Sequence, residues 1–236
     1  MFCKIADLIA EVPSSDGLAA RCRDYLYDGE SQADIVIRES LYDASKYPAY
    51  ITREQLAYVE SARQFYISLV DHSGFYLHAS AIAKDGKAFL FSGRSGMGKS
   101  THTRLWQQEF GAETVVFNDD KPALRYLDGV WYAYGTPWCG KDGINSNMKV
   151  PLAGICFLKQ ASENRIRRLS EAEVLQRLLP QTVWNYRTTE RVAQVMAHLD
   201  QLITKIPVFE LENRPEPAAA QLSYTTMRRA AEEMGL

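Results

Sequence analysis

The stretch from Gly93 to Ser100 carries the residue types that bind phosphate groups. Its sequence, G-R-S-G-M-G-K-S, matches the pattern G-x-x-x-x-G-K-[ST]. Three glycines allow the backbone to fold tightly around an anion and to turn its N–H groups inward. In such a loop the lysine reaches the β- and γ-phosphates and the final hydroxyl binds Mg²⁺. The predicted nucleotide contacts are Gly93, Arg94, Ser95, Gly96, Met97, Gly98, Lys99, Ser100 and Thr101.

The residues around this loop predict a strand before it and a helix after it. Ala88 to Phe91 is an apolar run, and Thr101 to Phe110 fits a helix. The N-terminus of that helix adds partial positive charge to the loop. Because the eight-residue pattern also occurs by chance, this context is what favours a nucleotide-phosphate site over a structural glycine loop.

Two adjacent carboxylates, Asp119 and Asp120, follow a short apolar strand and lie only 20 residues after Lys99. One carboxylate at the end of such a strand can hold Mg²⁺, and the other can accept the proton of an attacking hydroxyl. The sequence does not assign the two roles, so both residues are candidate catalytic groups and candidate metal ligands, together with Ser100. The alternative is a simple turn, because Asn-Asp-Asp-Lys-Pro is also good turn chemistry.

A histidine precedes the strand of the phosphate loop. His78 lies on a strand that Asp85-Gly86 turns back on itself, and the returning strand leads into the loop. With the right register, His78 lies at the same end of the sheet as the loop and is a candidate catalytic residue. A lone histidine on a strand is otherwise most often structural.

These features together resemble the catalytic domain of HPr kinase/phosphorylase and the related ATP-dependent phosphoenolpyruvate carboxykinases. In that superfamily a strand histidine precedes a hairpin, the hairpin leads into G-x-S-G-x-G-K-[ST], and an Asp-Asp pair follows after about 20 residues. The resemblance implies ATP and Mg²⁺ as ligands, Lys99 on the phosphates, Ser100 and one aspartate on the metal, and the other aspartate as base. It implies His78 as an auxiliary group near the transferred phosphate, and it makes a homo-oligomer an expectation.

The resemblance covers residues 75–135 well and the rest of the chain weakly. HPr kinases have a separate N-terminal domain and a glycine-rich segment whose Glu helps to hold metal. This chain has Gly135 to Lys141 in that place, without an acid, which argues against HPr itself as the acceptor. The layout is closer to small stand-alone HPr-kinase-like proteins, including those that phosphorylate ribosomally made peptides.

The acceptor side is predicted at the segment from Gly135 to Lys141. Trp138 offers a flat apolar face, and Lys141 offers a positive charge for phosphate or carboxylate. The alternatives are a core tryptophan and solvated surface charges. The candidate substrate contacts are Trp138, Gly140, Lys141 and Arg125.

Apolar runs and turns predict alternating strands and helices, and the resemblance implies an α/β fold with a mixed β-sheet core of the phosphoenolpyruvate carboxykinase/HPr kinase type, a P-loop and flanking helices. Residues 1–236 are expected to form one domain, with 1–74 as an extension packed on the core, 75–160 as the nucleotide-binding core, and 161–236 as C-terminal helices and a strand. Within it, Phe2 to Val12 is predicted as one strand, and Arg165 to Leu169 as the neighbour of a strand at 151–159.

Composition limits the classes of function. The 236 residues are 46% hydrophobic and 24% charged, with a net charge of −2, which argues against a nucleic-acid or membrane-surface binder. No apolar run approaches the length of a membrane span, and no secretory signal is apparent. The scattered Cys3, Cys22, Cys139 and Cys156 suit free thiols in a reducing cytoplasm.

The sequence therefore favours a cytoplasmic kinase that transfers the ATP γ-phosphoryl group to a Ser or Thr hydroxyl of a peptide or protein, with a ribosomally made precursor peptide as one such partner. Two alternatives use the same nucleotide residues. One is a kinase of a small hydroxylated metabolite such as free serine, and the other is a nucleotide-binding adaptor without catalysis. A carboxykinase is disfavoured because those enzymes are more than twice as long.

Overall fold

The computed structural model of the chain describes residues 1–182 and 188–236. Its strands are β1 (Phe2–Ile5), β2 (Leu8–Glu11), β3 (Ile35–Val36), β4 (Gly74–Tyr76), β5 (Ala79–Lys84), β6 (Lys87–Ser92), β7 (Val115–Asp120), β8 (Ala123–Leu127), β9 (Val130–Tyr134), β10 (Lys149–Gln160), β11 (Arg165–Arg168) and β12 (Val208–Asn213). Its helices are α1 (Asp16–Arg21), α2 (Arg53–Leu69), α3 (Lys99–Phe110), α4 (Glu171–Leu178), α5 (Thr189–Lys205) and α6 (Pro217–Glu233).

Nine strands of the described chain form one mixed sheet. Seven of them follow the order β4-β8-β9-β10-β6-β5-β7, and β12 pairs with β10 and carries β11. The long strand β10 joins the antiparallel part of the sheet to its parallel part. Its start runs antiparallel to β9, and its later residues run parallel to β6 and β12. The predicted α/β class with a mixed sheet and flanking helices is confirmed.

The position of β5 explains how distant residues meet. It lies between β6 and β7 and runs antiparallel to both. β6 and β7 therefore run parallel to each other, and their carboxyl ends lie at the edge where β5 begins. Ala79, the first residue of β5, pairs with Ser92 at the end of β6 and with Asp120 at the end of β7.

Both faces of the sheet are buried, and β6 contributes to both. Leu90 belongs to the cluster that the sheet forms with α4 and α5, whereas Phe91 belongs to the cluster with α3 and α6. Successive side chains of a strand point to opposite faces, so a run of apolar residues can fill two cores at once. This burial on both sides fixes the strand that delivers the phosphate loop.

A smaller sheet, β1-β2-β3, packs with α1 and α2 at the other end of the molecule. Its cluster includes Phe65 and Tyr66 of α2 and the fully buried Trp138. Thr52 begins α2 with a capping box to Gln55, as a Thr before a helical apolar pattern predicts. The cluster joins the segment after β9 to the N-terminal part of the chain.

Two predicted elements are wrong in detail. Phe2 to Val12 is a hairpin and not one strand, because Ala6 and Asp7 both adopt positive φ, 53° and 60°, and reverse the chain. β11 is not the neighbour of β10, since β12 lies between them. The apolar β12 occupies the buried position, and the arginine-rich β11 takes the outer one, as charged residues at sheet edges commonly do.

All four cysteines are buried and unbridged, in agreement with the expected free thiols. Among residues 1–182 and 188–236, no helix is both long enough and apolar enough to cross a bilayer.

Trp138 gives a test of this packing. Its ring lies 4.8 Å from that of Phe65, and its Nε1 donates to Ser61 Oγ at 3.0 Å. We expect Trp138→Ala to lower the free energy of unfolding by about 3–5 kcal/mol, because a large cavity remains and the Ser61 hydroxyl, which still donates to the Tyr58 carbonyl oxygen, loses the indole donor. Urea denaturation followed by circular dichroism measures this change.

The matched control is Tyr50→Ala, which removes an aromatic ring that is 85% exposed. That variant should stay within about 0.5 kcal/mol of the wild type. Equal effects of the two substitutions would contradict the buried position of Trp138.

Candidate functional site

The loop between β6 and α3 has the backbone shape of an anion cradle. Gly93, Gly96 and Gly98 have φ values of 147°, 82° and 92°, which side chains other than glycine rarely tolerate. Gly98 is the residue that precedes α3. The first N–H groups of a helix lack partners within the helix, so they and the helix dipole are available to a phosphate.

Lys99 extends its side chain back across this loop. Its side chain is nearly buried, and Nζ donates to the carbonyl oxygen of Gly93 at 3.1 Å. Burial lowers the pKa of Lys99, and the charges of Asp120 and Asp119 partly offset that effect. A buried ammonium with few ligands is strongly attracted to an anion that enters the loop.

Ser100 and Asp119 form the first polar pair of the site. The Ser100 hydroxyl donates to Asp119 Oδ2 at 2.9 Å. The backbone around Asp119 is fixed by the segment after β9, because the Gly140 N–H donates to its carbonyl oxygen at 2.6 Å and its own N–H donates to Ile144 at 3.1 Å. Gly140 thereby lies directly against both aspartates, since a Cβ at this position would be in van der Waals contact with Asp119 Oδ2 at 3.4 Å and with Asp120 at 3.6 Å.

Asp120 is the centre of the second polar group. Its Oδ1 lies 2.9 Å from His78 Nε2, and its Oδ2 accepts from Lys121 Nζ at 2.5 Å. On its other side, His78 Nδ1 lies 3.0 Å from Gln181 Oε1. His78 Nε2 is also 3.1 Å from Lys99 Nζ, so this histidine contacts both the loop lysine and the aspartate.

The charge state of Asp120 follows from these contacts. Burial by itself would raise the pKa of the Asp120 carboxyl, but the hydrogen bond with His78 and the charge of Lys121 outweigh burial and hold this pKa well below its usual range. Burial likewise acts to lower the pKa of Lys121, and the neighbouring Asp120 raises it. Asp120 is therefore a carboxylate at neutral pH.

The backbone at Asp120 is strained, with φ at 93°. A non-glycine residue in this region is uncommon and is held there by its surroundings. The side chain of the neighbouring Asn118 supplies part of that restraint, because its Oδ1 accepts from the Lys121 N–H at 2.9 Å and its Nδ2 donates to Thr136.

A cleft of about 490 Å³ opens over this edge of the sheet. Its lining residues are His78, Ser95, Gly96, Gly98, Lys99, Ser100, Thr101, Asp119, Asp120, Gly140, Lys141 and Asp142. A second hollow of about 450 Å³ lies on the other side of the loop, beside Gly96, Met97, Thr101 and Asn213. The amide Nδ2 of Asn213 is buried without a hydrogen-bond partner among the described residues, so it is free to donate to a ligand.

The donor set of Ser100 and Asp119 suits Mg²⁺, which prefers oxygen ligands. Within residues 1–182 and 188–236, no group of three or more His, Cys, Asp or Glu side chains is arranged to hold a metal ion. Mg²⁺ in phosphate sites usually has one or two protein ligands and completes its shell with phosphate oxygens and water. The Ser100–Asp119 pair therefore fits a metal that arrives with a nucleotide.

Most of the predicted site residues come together at this edge. The cleft is lined by His78, by both aspartates and by the loop residues from Ser95 to Thr101 except Met97. Gly140 and Lys141 of the predicted acceptor segment also line it. Arg94 is exposed on the outside of the loop and is not part of the lining.

Two predicted substrate contacts are wrong. Trp138 is fully buried in the N-terminal cluster and offers no face to a ligand. The Arg125 guanidinium is buried and donates to the carbonyl oxygens of Ala6 at 2.7 Å and His72 at 2.9 Å. Each side chain satisfies its polar groups within the protein, and Arg125 is thereby a structural link between the large sheet and the N-terminal hairpin.

Two residues of the site were not predicted. Lys121 follows the Asp pair directly, and its position next to two carboxylates was a usable signal. Gln181 lies 103 positions from His78, and a glutamine after a helix gives no indication of such a contact. The fold alone brings them together.

The fold and the loop define an α/β protein of the phosphate-loop type. Residues 48–214 match the family model described as SynChlorMet cassette protein ScmC. This match spans well over half of the chain, and the chain belongs to the ScmC family. Among solved structures, the chain is similar to the HPr(Ser) kinase/phosphatase from Coxiella burnetii, with 12% identity and a TM-score of 0.40 over 68% of this chain and 92% of that chain. No curated protein matches the chain in sequence.

The depressed pKa of Asp120 gives a test by pH. A carboxyl whose folded-state pKa lies below its ordinary value of 3.8 stabilises the fold above that value, and this contribution is lost as pH falls through the folded-state pKa. We expect Asp120→Asn to lower the midpoint of thermal unfolding by a constant amount above about pH 5. The difference from wild type should shrink as the pH falls below 3.8.

Asparagine tolerates positive φ, so this substitution removes the charge without adding backbone strain. The control is Asp128→Asn, at an exposed hairpin aspartate that also has positive φ, 49°. It should change the midpoint little at any pH. A difference between Asp120→Asn and wild type that does not vary from pH 7 to pH 3 would contradict the assignment.

Proposed function

We propose that this protein is a kinase that transfers the γ-phosphoryl group of ATP, with Mg²⁺, to a Ser or Thr hydroxyl of a peptide or protein. The observation that carries the proposal is the arrangement at one sheet edge, where Lys99 and Ser100 of the phosphate loop face Asp120 and Asp119 across a single cleft. Motor and transport proteins also have phosphate loops, but a compact group of loop, two carboxylates and a histidine is typical of direct phosphoryl transfer.

The nucleotide lies across the phosphate loop in this proposal. Its phosphates occupy the cleft beside Lys99, and its base and ribose occupy the hollow beside Met97 and Asn213. Two hollows that share Gly96, Gly98 and Thr101 support this placement. The unpaired Asn213 amide supplies a donor for an acceptor atom of the nucleotide.

Ser100 and Asp119 would hold Mg²⁺. The metal, when bound, neutralises charge on the phosphate oxygens. The direct contact between the Ser100 hydroxyl and Asp119 Oδ2 places both oxygen ligands together, whereas Asp120 is occupied by His78 and Lys121. This difference supports Asp119 as the metal ligand and Asp120 as the group that meets the acceptor.

Asp120 would orient the acceptor hydroxyl and take its proton. The hydroxyl oxygen forms a bond to the γ-phosphorus, the bond from that phosphorus to the ADP oxygen breaks, and the proton passes to the Asp120 carboxylate. A carboxylate of low pKa is adequate here, because the transition state is loose and deprotonation is not demanding. His78 and Gln181 hold Asp120 in place, and Lys99 balances the charge on the transferred group.

The competing functions share the nucleotide residues and differ in the acceptor. Incubation of the protein with γ-labelled ATP, Mg²⁺ and separate panels of Ser/Thr peptides and hydroxylated metabolites distinguishes them. The proposal expects label on peptides. Label on metabolites alone would indicate a metabolite kinase, and tight ATP binding without any transfer would indicate a nucleotide-binding adaptor.

Lys99 tests the phosphate site. We expect Lys99→Ala to reduce transfer at least about a hundredfold, because the loss of one such electrostatic contact costs roughly 3 kcal/mol in the transition state. Initial rates with γ-labelled ATP measure the loss, and circular dichroism checks that the fold is retained.

The control for this variant is Lys4→Ala, which removes an exposed lysine from the N-terminal hairpin. It should leave the rate unchanged. Unchanged turnover in Lys99→Ala would overturn the site assignment.

The Asp pair tests the division of roles. Asp119→Asn should raise the Mg²⁺ concentration needed for half-maximal rate, because a metal ligand is weakened. Asp120→Asn should lower the maximal rate by about a hundredfold without moving the Mg²⁺ midpoint. Magnesium titrations of both variants provide the comparison, and each variant serves as control for the other.

If Asp120→Asn moves the Mg²⁺ midpoint and Asp119→Asn does not, the two roles are reversed. If both variants retain full activity, the pair is a structural turn.

A further inference from the structure

A third hollow, of about 420 Å³ and open to solvent, lies beside α2. It is bounded by α2, by Tyr76 and by residues 180–182, and its Gln181 contacts His78 Nδ1 whereas Lys99 of the phosphate loop contacts His78 Nε2. Its lining residues are Val59, Ala62, Arg63, Tyr66, Tyr76, His78, Lys121, Pro180, Gln181 and Thr182. We call it the α2 pocket.

The α2 pocket adjoins the reacting group of the proposed kinase. His78 lines both this pocket and the nucleotide cleft. Lys121 lines the α2 pocket, and its Nζ bonds to Asp120 Oδ2 at 2.5 Å. Phosphoryl transfer places the acceptor oxygen and the leaving oxygen on opposite sides of the phosphorus, so an acceptor that approaches Asp120 has to enter away from the phosphate loop. The α2 pocket is next to this carboxylate through His78 and Lys121, which line the pocket and contact Asp120, while Asp120 itself lines the nucleotide cleft.

The walls of this pocket are mainly apolar and aromatic. The rings of Tyr66 and Tyr76 lie 5.0 Å apart, and Val59 and Ala62 of α2 extend the apolar surface. The Tyr66 hydroxyl is already committed, because it donates to the Lys121 carbonyl oxygen at 2.6 Å. Tyr66 is only 2% exposed, so the aromatic surface that a ligand can reach belongs mainly to the half-buried Tyr76, and such a surface binds large apolar side chains.

The ionisable lining groups are cationic or neutral. Arg63 and Lys121 are the two cations of the lining. The other ionisable lining residues are His78 and two tyrosines, and no Asp or Glu is among the described lining residues. Arg63 forms a bidentate pair with Glu60 behind the wall, which fixes the guanidinium. A lysine or arginine on the ligand would find no free carboxylate among the described lining residues, because the nearby Glu60 and Asp120 are already paired with Arg63 and Lys121, whereas an apolar side chain needs no such partner.

The volume of the α2 pocket favours a peptide acceptor over a small metabolite. Pockets of about 300–1,000 Å³ enclose ligands of drug size, and the 420 Å³ pocket is in that range. Free serine would leave most of this space empty. A Ser or Thr residue with a large neighbouring side chain would fill it.

We propose that the α2 pocket is the acceptor-specificity site, and that it binds a large apolar or aromatic side chain next to the phosphorylated Ser or Thr of a peptide. This inference rests on the proposed kinase function and adds the class of peptide to it. The observation behind it is that a mainly apolar pocket is lined by His78 and Lys121, the two residues that bond to Asp120.

Three peptides that differ only in the residue next to one serine test the proposal. With Phe, Ala or Lys at that position, the wild-type kcat/KM should fall in the order Phe, Ala, Lys, with a difference of about tenfold or more between Phe and Ala from burial of the ring. The readout is incorporation of label from γ-labelled ATP, with the KM for ATP measured in parallel.

Val59 is half-buried on the pocket wall, so a larger side chain there projects into the space. Val59→Trp should abolish the preference for Phe by raising the peptide KM. Val59→Glu should shift the preference toward Lys through charge attraction. The control is Val192→Trp, at a helix valine that is 46% exposed and is not among the described lining residues of the pocket, and it should keep the wild-type preference.

The outcomes separate the two proposals. If the wild-type protein labels none of the peptides, the proposed function fails and this inference fails with it. If the wild type labels peptides without preference for Phe, or if both Val59 variants keep the wild-type preference, the inference fails and the kinase function stands.

Discussion

The pairing of β5 with both β6 and β7 is the constraint on which the site depends. Because β5 runs antiparallel to each neighbour, the ends of β6 and β7 and the start of β5 share one edge. The phosphate loop, the Asp pair and His78 leave the sheet at that edge. A different order of these three strands would separate the loop from its carboxylates, whatever the side chains were.

The two aspartates at this edge have different electrostatic surroundings. Lys99, His78 and Lys121 surround Asp120, and the balance of opposite charges keeps its carboxyl ionised in spite of burial. Among residues 1–182 and 188–236, the side chain of Asp119 has the Ser100 hydroxyl as its one hydrogen-bond partner, which leaves a carboxylate oxygen available to a metal. Two neighbouring carboxylates with different partners can perform different tasks, which is the physical basis for assigning metal binding to one and acceptor contact to the other.

The local parts of this arrangement were predictable from the sequence. The glycine loop, the hairpin at Asp85-Gly86 and the strand before Asp119 each have a short-range signal, and the structure contains all three. The pairing of β5 with β7 joins residues about 40 positions apart, and no turn signal determines its register. The sequence therefore predicts that His78 lies beside the loop only if the strands pair in the right register.

The substrate side was less predictable because it depends on packing. Trp138 and Arg125 have residue types that bind ligands, but the N-terminal cluster and the β1–β2 hairpin use them internally. In contrast, Gln181 acquires a role only because the fold brings the residues after α4 to His78, whereas Lys121 pairs with its sequence neighbour Asp120. Site residues that come from distant segments of the chain are positioned by tertiary contacts. A single sequence carries little information about those contacts.

The central claim is that ATP binds with its γ-phosphoryl group between Lys99 and Asp120. A crystal structure of the protein with Mg²⁺ and a non-hydrolysable ATP analogue tests it directly. We predict that the phosphates lie over the loop from Gly96 to Ser100, that the metal is bound to Ser100 and Asp119, and that the terminal phosphate faces Asp120. A nucleotide bound elsewhere, or one whose terminal phosphate points away from the Asp pair, would contradict it.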